Sequence, residues 1–519
     1  MYITQSLKRA VQINGNGIAT MDGPRRHTWQ AFALRVAQLA GALRTLGLSE
    51  GGRVAILALN SDRYLELYYA IPWAGGVIVP LNVRLAPPEL SFMLNDSGAE
   101  ILIVDENFSA MLPPLRDQLE TVKQVIYAGE GPAPAGTQAY ERLVEMATPA
   151  PDAERGGSDL AGIFYTGGTT GLPKGVMLTH DNLVSNALNF TIGLQFNEKS
   201  VHLHVAPMFH LADGASNIPI TMMAGVHAFV PKFTPAATLA AIPAYRVTNL
   251  SLVPTMINLL TNDPDVANYD LTSVVRIAYG GSPMPEAVLT KAKAVFSNAL
   301  LTQAYGITEL SPSVTALQNE YHTFSGPFAG KIQSAGQPFA TVEVKIIDLA
   351  DNEVARGVTG EIVVRGPNLM AGYWKRPRET EQALRNGWMH TGDAGYMDKD
   401  GFVFIVDRYK DMIISGGENV YSTEVENAIY QHPAVAMCAV IGIPSEQWGE
   451  AVHAIIIPKP GQTLNETEIL DHCRTQIAGY KCPRSVEVRQ EPLPMSGAGK
   501  ILKAQLRAPF WVDKTRRVN

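Results

Sequence analysis

Six short runs of consecutive apolar, often β-branched residues constrain the fold most: "RVAILAL" (53–59), "AEILIVD" (99–105), "QVIYAG" (124–129), "AGIFYTG" (161–167), "NLSLVP" (249–254) and "SVVRIAYGG" (273–281). A strand that is apolar at successive positions must be covered on both faces. Longer stretches with helical periodicity separate the runs, and this alternation predicts a mainly parallel sheet packed between helical layers. One such helix is predicted over 29–46, where Phe32, Val36, Leu39, Leu43 and Leu46 form a single stripe. Thr28 can cap its start, and Gly47 can end it.

Near residue 340 the texture changes to shorter strands and tight turns, "VEVKIID" (342–348), "GEIVVRG" (360–366) and "FVFIVD" (402–407), which predict an antiparallel or barrel-like part. After "DRYKD" (407–411) a smaller α+β domain is predicted. It has a helix over 424–431 opened by a Thr423/Glu426 capping box, strands in "VAMCAVIGI" and "AVHAIIIP", and a helix over 466–478 opened by Asn465 and Glu468. The expected class is α/β: a large N-terminal domain of several subdomains (1–406), a hinge (407–410) and a small mobile α+β C-terminal domain (411–519).

Net charge is −7, from 42 basic and 49 acidic residues spread along the chain, so there is no footprint for a nucleic-acid backbone. Cys438, Cys473 and Cys482 match no zinc-ribbon spacing and read as ordinary thiols of a reducing compartment. The start, "MYITQSLKRAVQING", lacks a secretory apolar core. The greasiest stretch, 67–83, is broken by Pro72, Gly75, Gly76 and Pro80 and reads as buried core, not as a membrane span. A cytoplasmic protein without a transmembrane segment is expected.

The segment "FYTGGTTGLPKGVMLTH" (164–180) carries the chemistry. Gly167, Gly168, Gly171 and Gly175 let the backbone approach an anion and turn its amides inward; Thr166, Thr169 and Thr170 add hydroxyls, and Lys174 adds a charge. Such a set suits a polyphosphate, and a plain glycine-rich hairpin is the alternative. It is not a Walker loop, because Pro173 stands at the second glycine position and Gly175 follows Lys174.

This loop resembles that of the adenylate-forming superfamily, which includes acyl- and aryl-CoA synthetases, luciferases and nonribosomal-peptide adenylation domains. Further matches follow in family order: "YGGSPM" (279–284), "QAYGITEL" (303–310), "GEIVVRG" (360–366), "HTGDAGYMDKDGF" (390–402), "DRYKDMIISGGENVYSTEVE" (407–426), "WGE" (448–450) and "LPMSGAGKI" (493–501). The acyl-CoA synthetase branch fits best. The amino-acid branch normally has an aspartate after the phenylalanine of its pocket motif, where this chain has His210 after Phe209.

The resemblance implies ATP, Mg²⁺ and coenzyme A as cofactors and a small hydrophobic carboxylic acid as substrate, with a fatty acid the first expectation and an aromatic acid the second. It places Thr166 to Lys174 on the β- and γ-phosphates, Thr308 on the α-phosphate and Glu309 on the metal. Tyr305 with Gly280, Gly281 and Ser282 is placed at the adenine, and Asp393 with Arg408 at the ribose. Lys500 is the implied catalytic lysine between carboxylate and α-phosphate, although Met495 and Ser496 replace the more usual Arg and Thr before it. His210 is implied at the acyl pocket and Lys410 at the hinge. Gly416 and Gly417 are implied beside the pantetheine channel, with Trp448 and Tyr480 near CoA. A homodimer is an open expectation. His202 and His204 in "VHLHV" alternate with apolar residues and read as one face of a strand, not as zinc ligands.

Overall fold

The apolar runs form strands at the positions expected, and the helices between them cover both sides. The computed structural model describes residues 1–166, 173–408, 410–497 and 499–512. Among these, one sheet has eight strands in the order Gly372–Tyr373, Lys174–Thr179, Leu160–Thr166, Val77–Pro80, Arg53–Leu57, Ala99–Val104, Gln124–Tyr127 and Gln138–Ala139. It is parallel from Leu160–Thr166 onward, while Lys174–Thr179 returns antiparallel as the second arm of a hairpin. A second sheet has nine strands. Its parallel centre runs through Leu300–Tyr305, Arg276–Gly280, Asn249–Leu252, Val201–His204 and Val226–Phe229.

Helix Trp29–Thr45 is capped by the Thr28 hydroxyl, which accepts from the Ala31 amide at 3.2 Å. Its stripe, with Trp29 and Tyr69, enters an apolar cluster that includes Ile56 and Ile78 of the first sheet and Ala19 and Phe229 of the second. The two sheets and the helices between them therefore share one core. The 67–83 stretch is buried helix and strand, Asp62–Trp73 and Val77–Pro80, and no described helix is long and apolar enough to cross a membrane.

The segment beyond residue 340 forms a five-stranded antiparallel sheet containing Glu343–Ile347, Gly360–Arg365, Trp388–Met397 and Val403–Arg408. The smaller C-terminal α+β domain is built on the long hairpin Val435–Ser445 and Gly449–Pro458. Helices Ser422–Tyr430 and Glu466–Gln476 cover one face, and Lys503–Arg507 covers the other. Asn465 and Glu468 make the expected capping box. Thr423 and Glu426 do not. The first helix starts one residue before Thr423, whose hydroxyl donates to the Val406 carbonyl, while Glu426 accepts from the Val440 amide and pairs with Lys503 at 2.7 Å. Tertiary partners take both side chains away from the cap. All three cysteines are buried free thiols.

The large domain carries a buried ionic group at its centre. Glu66 is fully buried and accepts from Arg35 (Nη2 at 3.2 Å) and from the Tyr140 hydroxyl at 2.7 Å. Arg35→Leu strands this carboxylate and is expected to cost about 3–5 kcal/mol, whereas Arg35→Leu with Glu66→Leu recovers much of the loss. Urea unfolding of the two variants checks this.

Candidate active site

In an open parallel sheet the ends of the strands leave a crevice where loops can converge on a ligand. Here Gly280, Tyr305 and Thr166 are the last residues of their strands, and the segment 205–210 leaves the strand Val201–His204. A Cβ on Gly280 would lie 2.0 Å from the Ala304 carbonyl oxygen, so only glycine fits there. Gly281 follows at φ +84°, with the partly buried Ser282 after it.

Tyr305 and Arg408 meet on Asp393. The Tyr305 hydroxyl donates to Oδ2 at 2.6 Å and Arg408 Nε to Oδ1 at 3.1 Å, with the carboxylate almost wholly buried. Burial, then the neighbouring Asp393, pushes the Tyr305 hydroxyl pKa well up, and Asp393 foremost raises that of Arg408. A second group forms around Tyr373. Its hydroxyl donates to Glu309 Oε1 at 2.8 Å, and Lys174 Nζ sits 5.1 Å from its ring centroid. Thr308 opens the short 3₁₀ turn that holds Glu309. Thr166 and Lys174 are directly opposed across the hairpin, so the glycine-rich loop leaves from this point. Gly167, Gly168, Thr169, Thr170 and Gly171 lie outside the described residues.

Lys500, from the small domain, enters the field of both groups. Its side chain reaches Gly281, where a Cβ would lie 3.2 Å from Lys500 Cε. Burial, then Arg408, lowers its pKa to about 8, with Asp393 and Glu309 opposing the fall. His210 faces the same charge: burial, then Lys500, brings its imidazole down to about 3, so it is neutral at physiological pH. Its Nδ1 accepts from the Ala212 amide at 3.1 Å, which puts the ring proton on Nε2 and leaves a donor.

Behind His210 lies an enclosed polar chain. His204 Nδ1 is 2.7 Å from Asp213 Oδ2, His204 Nε2 is 2.9 Å from His227 Nδ1, and His227 Nε2 is 3.0 Å from Thr221 Oγ1. His202, His204 and Asp213 are close enough together to hold an ion, yet both nitrogens of His204 are already engaged in this chain. The apolar face of "VHLHV" was expected; the opposite face is equally buried, against this chain.

On the small domain, Gly416 and Gly417 are brought beside Trp448, while Tyr480 and Lys410 lie apart from that pair. Gly416 and Gly417, at φ +63° and +87°, turn the hairpin between Ile413–Ser415 and Glu418–Val420. The Gly416 amide donates to the Trp448 carbonyl at 2.8 Å, and Arg484 lies 5.0 Å from the Trp448 ring centroid. Tyr480 is exposed beside Lys481, and the Lys410 carbonyl accepts from Arg507 at 3.2 Å.

The profile of the AMP-binding enzyme family matches residues 7–374, and that of the AMP-binding enzyme C-terminal domain matches 424–500. The chain belongs to this family. It is 39% identical over 503 residues to a feruloyl-CoA synthase from Amycolatopsis sp, covering 97% of this chain and 98% of that one. It is 36% identical over 490 residues to the long-chain-fatty-acid–CoA ligase FadD13 of Mycobacterium tuberculosis, covering 93% of each. Among solved structures, the anthranilate CoA ligase AuaEII with anthranoyl-AMP superposes with a TM-score of 0.90 at 26% identity, covering 98% of this chain and 97% of that one. The chain is an ATP-dependent, AMP-forming acyl-CoA synthetase.

Within this AMP-binding enzyme, sequence reasoning missed Tyr373. It lies on a two-residue strand, Gly372–Tyr373, that pairs with Lys174–Thr179 some 200 positions earlier in the chain, and the Trp374 amide donates to Gly175 at 2.7 Å. The visible signal was "GYW", two aromatics after a glycine in the connection between two strands of the antiparallel sheet. The lowered Lys500 pKa gives a direct test. In competitive labelling with isotopic acetic anhydride, Lys500 is expected to gain reactivity through pH 8, while exposed lysines follow the ordinary rise near 10.4.

Proposed function

We propose that this synthetase activates an aromatic carboxylic acid of the hydroxycinnamate or benzoate type and transfers the acyl group to CoA. One observation carries the catalytic reading: the Lys500 side chain of the small domain reaches Gly281 of the large one, within the electrostatic field of Asp393, Glu309, His210 and the hinge residue Arg408. In this reading a substrate carboxylate oxygen attacks the α-phosphorus of ATP, an O–P bond forms, and the bond to pyrophosphate breaks. The Lys500 ammonium spans the carboxylate and the α-phosphate, offsetting charge where two anions meet. His210 Nε2–H donates to the acid, Thr308 to the α-phosphate, and Thr166 and Lys174 hold the departing pyrophosphate together with the loop that follows Thr166.

Asp393 accepts the ribose hydroxyls on lone pairs that Tyr305 and Arg408 leave open, while the Tyr305 ring and the Gly280–Ser282 edge flank the adenine. Among the described residues Glu309 Oε2 takes no hydrogen bond, which fits a hard cation between it and the phosphates. Mg²⁺ held there would neutralise charge on the phosphate oxygens. In the second half-reaction the CoA thiolate attacks the acyl carbon, the C–O bond to phosphate breaks, AMP leaves, and the thiol proton passes to solvent. We assign that step to a rotated small domain (411–519) turning on 407–410 about Lys410, with Gly416 and Gly417 lining the pantetheine channel and Trp448 and Tyr480 near CoA.

The aromatic assignment reverses the order drawn from sequence alone. It is supported by the higher identity and coverage of the feruloyl-CoA synthase than of the fatty-acid ligase. The match to long-chain-fatty-acid ligases keeps a fatty acid as the second reading.

Scoring AMP release from ferulic, 4-coumaric, benzoic, octanoic and dodecanoic acids, with and without CoA, tests the assignment. Aromatic acids are expected to lead by about 10-fold or more in kcat/KM, and a lead by the fatty acids would contradict it. Gly417→Trp is expected to keep pyrophosphate exchange while abolishing acyl-CoA formation, measured on the best acid from the same panel.

A further inference from the structure

The hairpin that presents Lys500 is seated between the two large sheets. Met495 bridges Ile501, the Ser496 amide donates to the Lys500 carbonyl at 2.7 Å, and the Lys500 amide donates back to Ser496 Oγ at 3.1 Å. The serine that replaces the more usual threonine thus keeps the hydroxyl that closes the turn. On one side, Arg84 Nη1 donates to the Ser496 carbonyl at 2.9 Å, from the turn after strand Val77–Pro80. On the other, Thr255 Oγ1 donates to the Gly499 carbonyl at 3.2 Å, from the start of helix Pro254–Thr261. The fit is close: a Cβ on Gly497 would lie 2.8 Å from the Asn82 amide, and one on Gly499 would lie 3.2 Å from Val253. Asn82 Oδ1 in turn accepts from the Arg84 amide at 3.1 Å, which shapes that bank of the seat.

We propose that Arg84 and Thr255 are positioning residues for adenylation: by gripping the two carbonyls that flank the lysine turn, they fix where the Lys500 ammonium arrives. Among the described residues neither touches those placed at the nucleotide, and both act only while the small domain is docked. Their contribution therefore belongs to one half-reaction. The inference rests on the reading of Lys500 as the adenylation lysine. It goes beyond that reading by naming large-domain groups whose partners are backbone carbonyls, so that side-chain identity in the hairpin matters less than its shape.

The test compares Arg84→Ala, Thr255→Val and the double variant in separated half-reactions, using whichever acid of the panel gives the most AMP. Pyrophosphate exchange is expected to fall about 10-fold for Arg84→Ala, about 5-fold for Thr255→Val and about 50-fold for the double variant. Arg84→Lys is expected to restore part of the loss, since it keeps a cationic donor. Acyl-CoA formation from synthetic acyl-adenylate and CoA is expected to stay within about 2-fold of the unaltered enzyme. Equal losses in both half-reactions, or undiminished exchange, would overturn the proposal. Amide hydrogen exchange decides it without any acid. Protection of 496–500 is expected to drop in the double variant with the strands unchanged, and unchanged protection there would overturn the seat. Should the unaltered enzyme exchange pyrophosphate with no acid, the adenylation reading fails separately while this second measurement still decides the seat.

Discussion

The site depends on carrying an ammonium from one end of the chain into a crevice that already holds a guanidinium. Burial and Arg408 both disfavour the Lys500 cation, while Asp393 and Glu309 favour it, and its pKa settles at about 8. A lysine so placed titrates about one pH unit above neutrality and stays largely charged at neutral pH. Anions entering beside it would raise that charge further, which couples substrate binding to the docked arrangement. The same field, after burial, keeps His210 neutral and a donor, so one cation and one neutral donor stand in the same crevice from opposite domains.

The large domain meets this demand with crossed supports. Asp393 stands on the antiparallel sheet, Tyr305 on the second large sheet, and Glu309 is joined through Tyr373 to the hairpin of the first. Each hydrogen bond ties two layers together, and the shared apolar core keeps those layers in register. The small domain is bound where it joins the large one as well. Asp407, at the start of the hinge segment, accepts from the Ser422 amide at 2.6 Å and its hydroxyl at 2.9 Å, and Lys503 donates to that hydroxyl at 2.7 Å. Asp407 is thus held by hydrogen bonds on the small-domain side.

Much of this was legible in the residues. The parallel sheets followed from continuous apolar runs, the helix over 29–45 from its stripe and its Thr28 cap, and the site from motifs whose order along the chain is hard to reach by chance. Interactions whose partners are distant in sequence were not legible. Tyr373 reaches Glu309 because a two-residue strand pairs with the loop hairpin, a register no local pattern announces. Arg84 and Thr255 bind carbonyl oxygens, which leave no trace in the side-chain sequence. Thr423 and Glu426 carried a valid capping pattern that tertiary partners outbid. In "VHLHV" the alternation was read correctly, but the polar face closes on Asp213, His227 and Thr221 from other elements.

The central claim is that the ammonium of Lys500 completes a site otherwise built by the large domain. It is tested most directly by substrate-dependent exchange of labelled pyrophosphate into ATP, comparing the unaltered enzyme with Lys500→Ala on the same acid. Loss of a buried charge-stabilising group predicts a fall of about 100-fold or more with ATP still bound. Full exchange in Lys500→Ala would contradict the account.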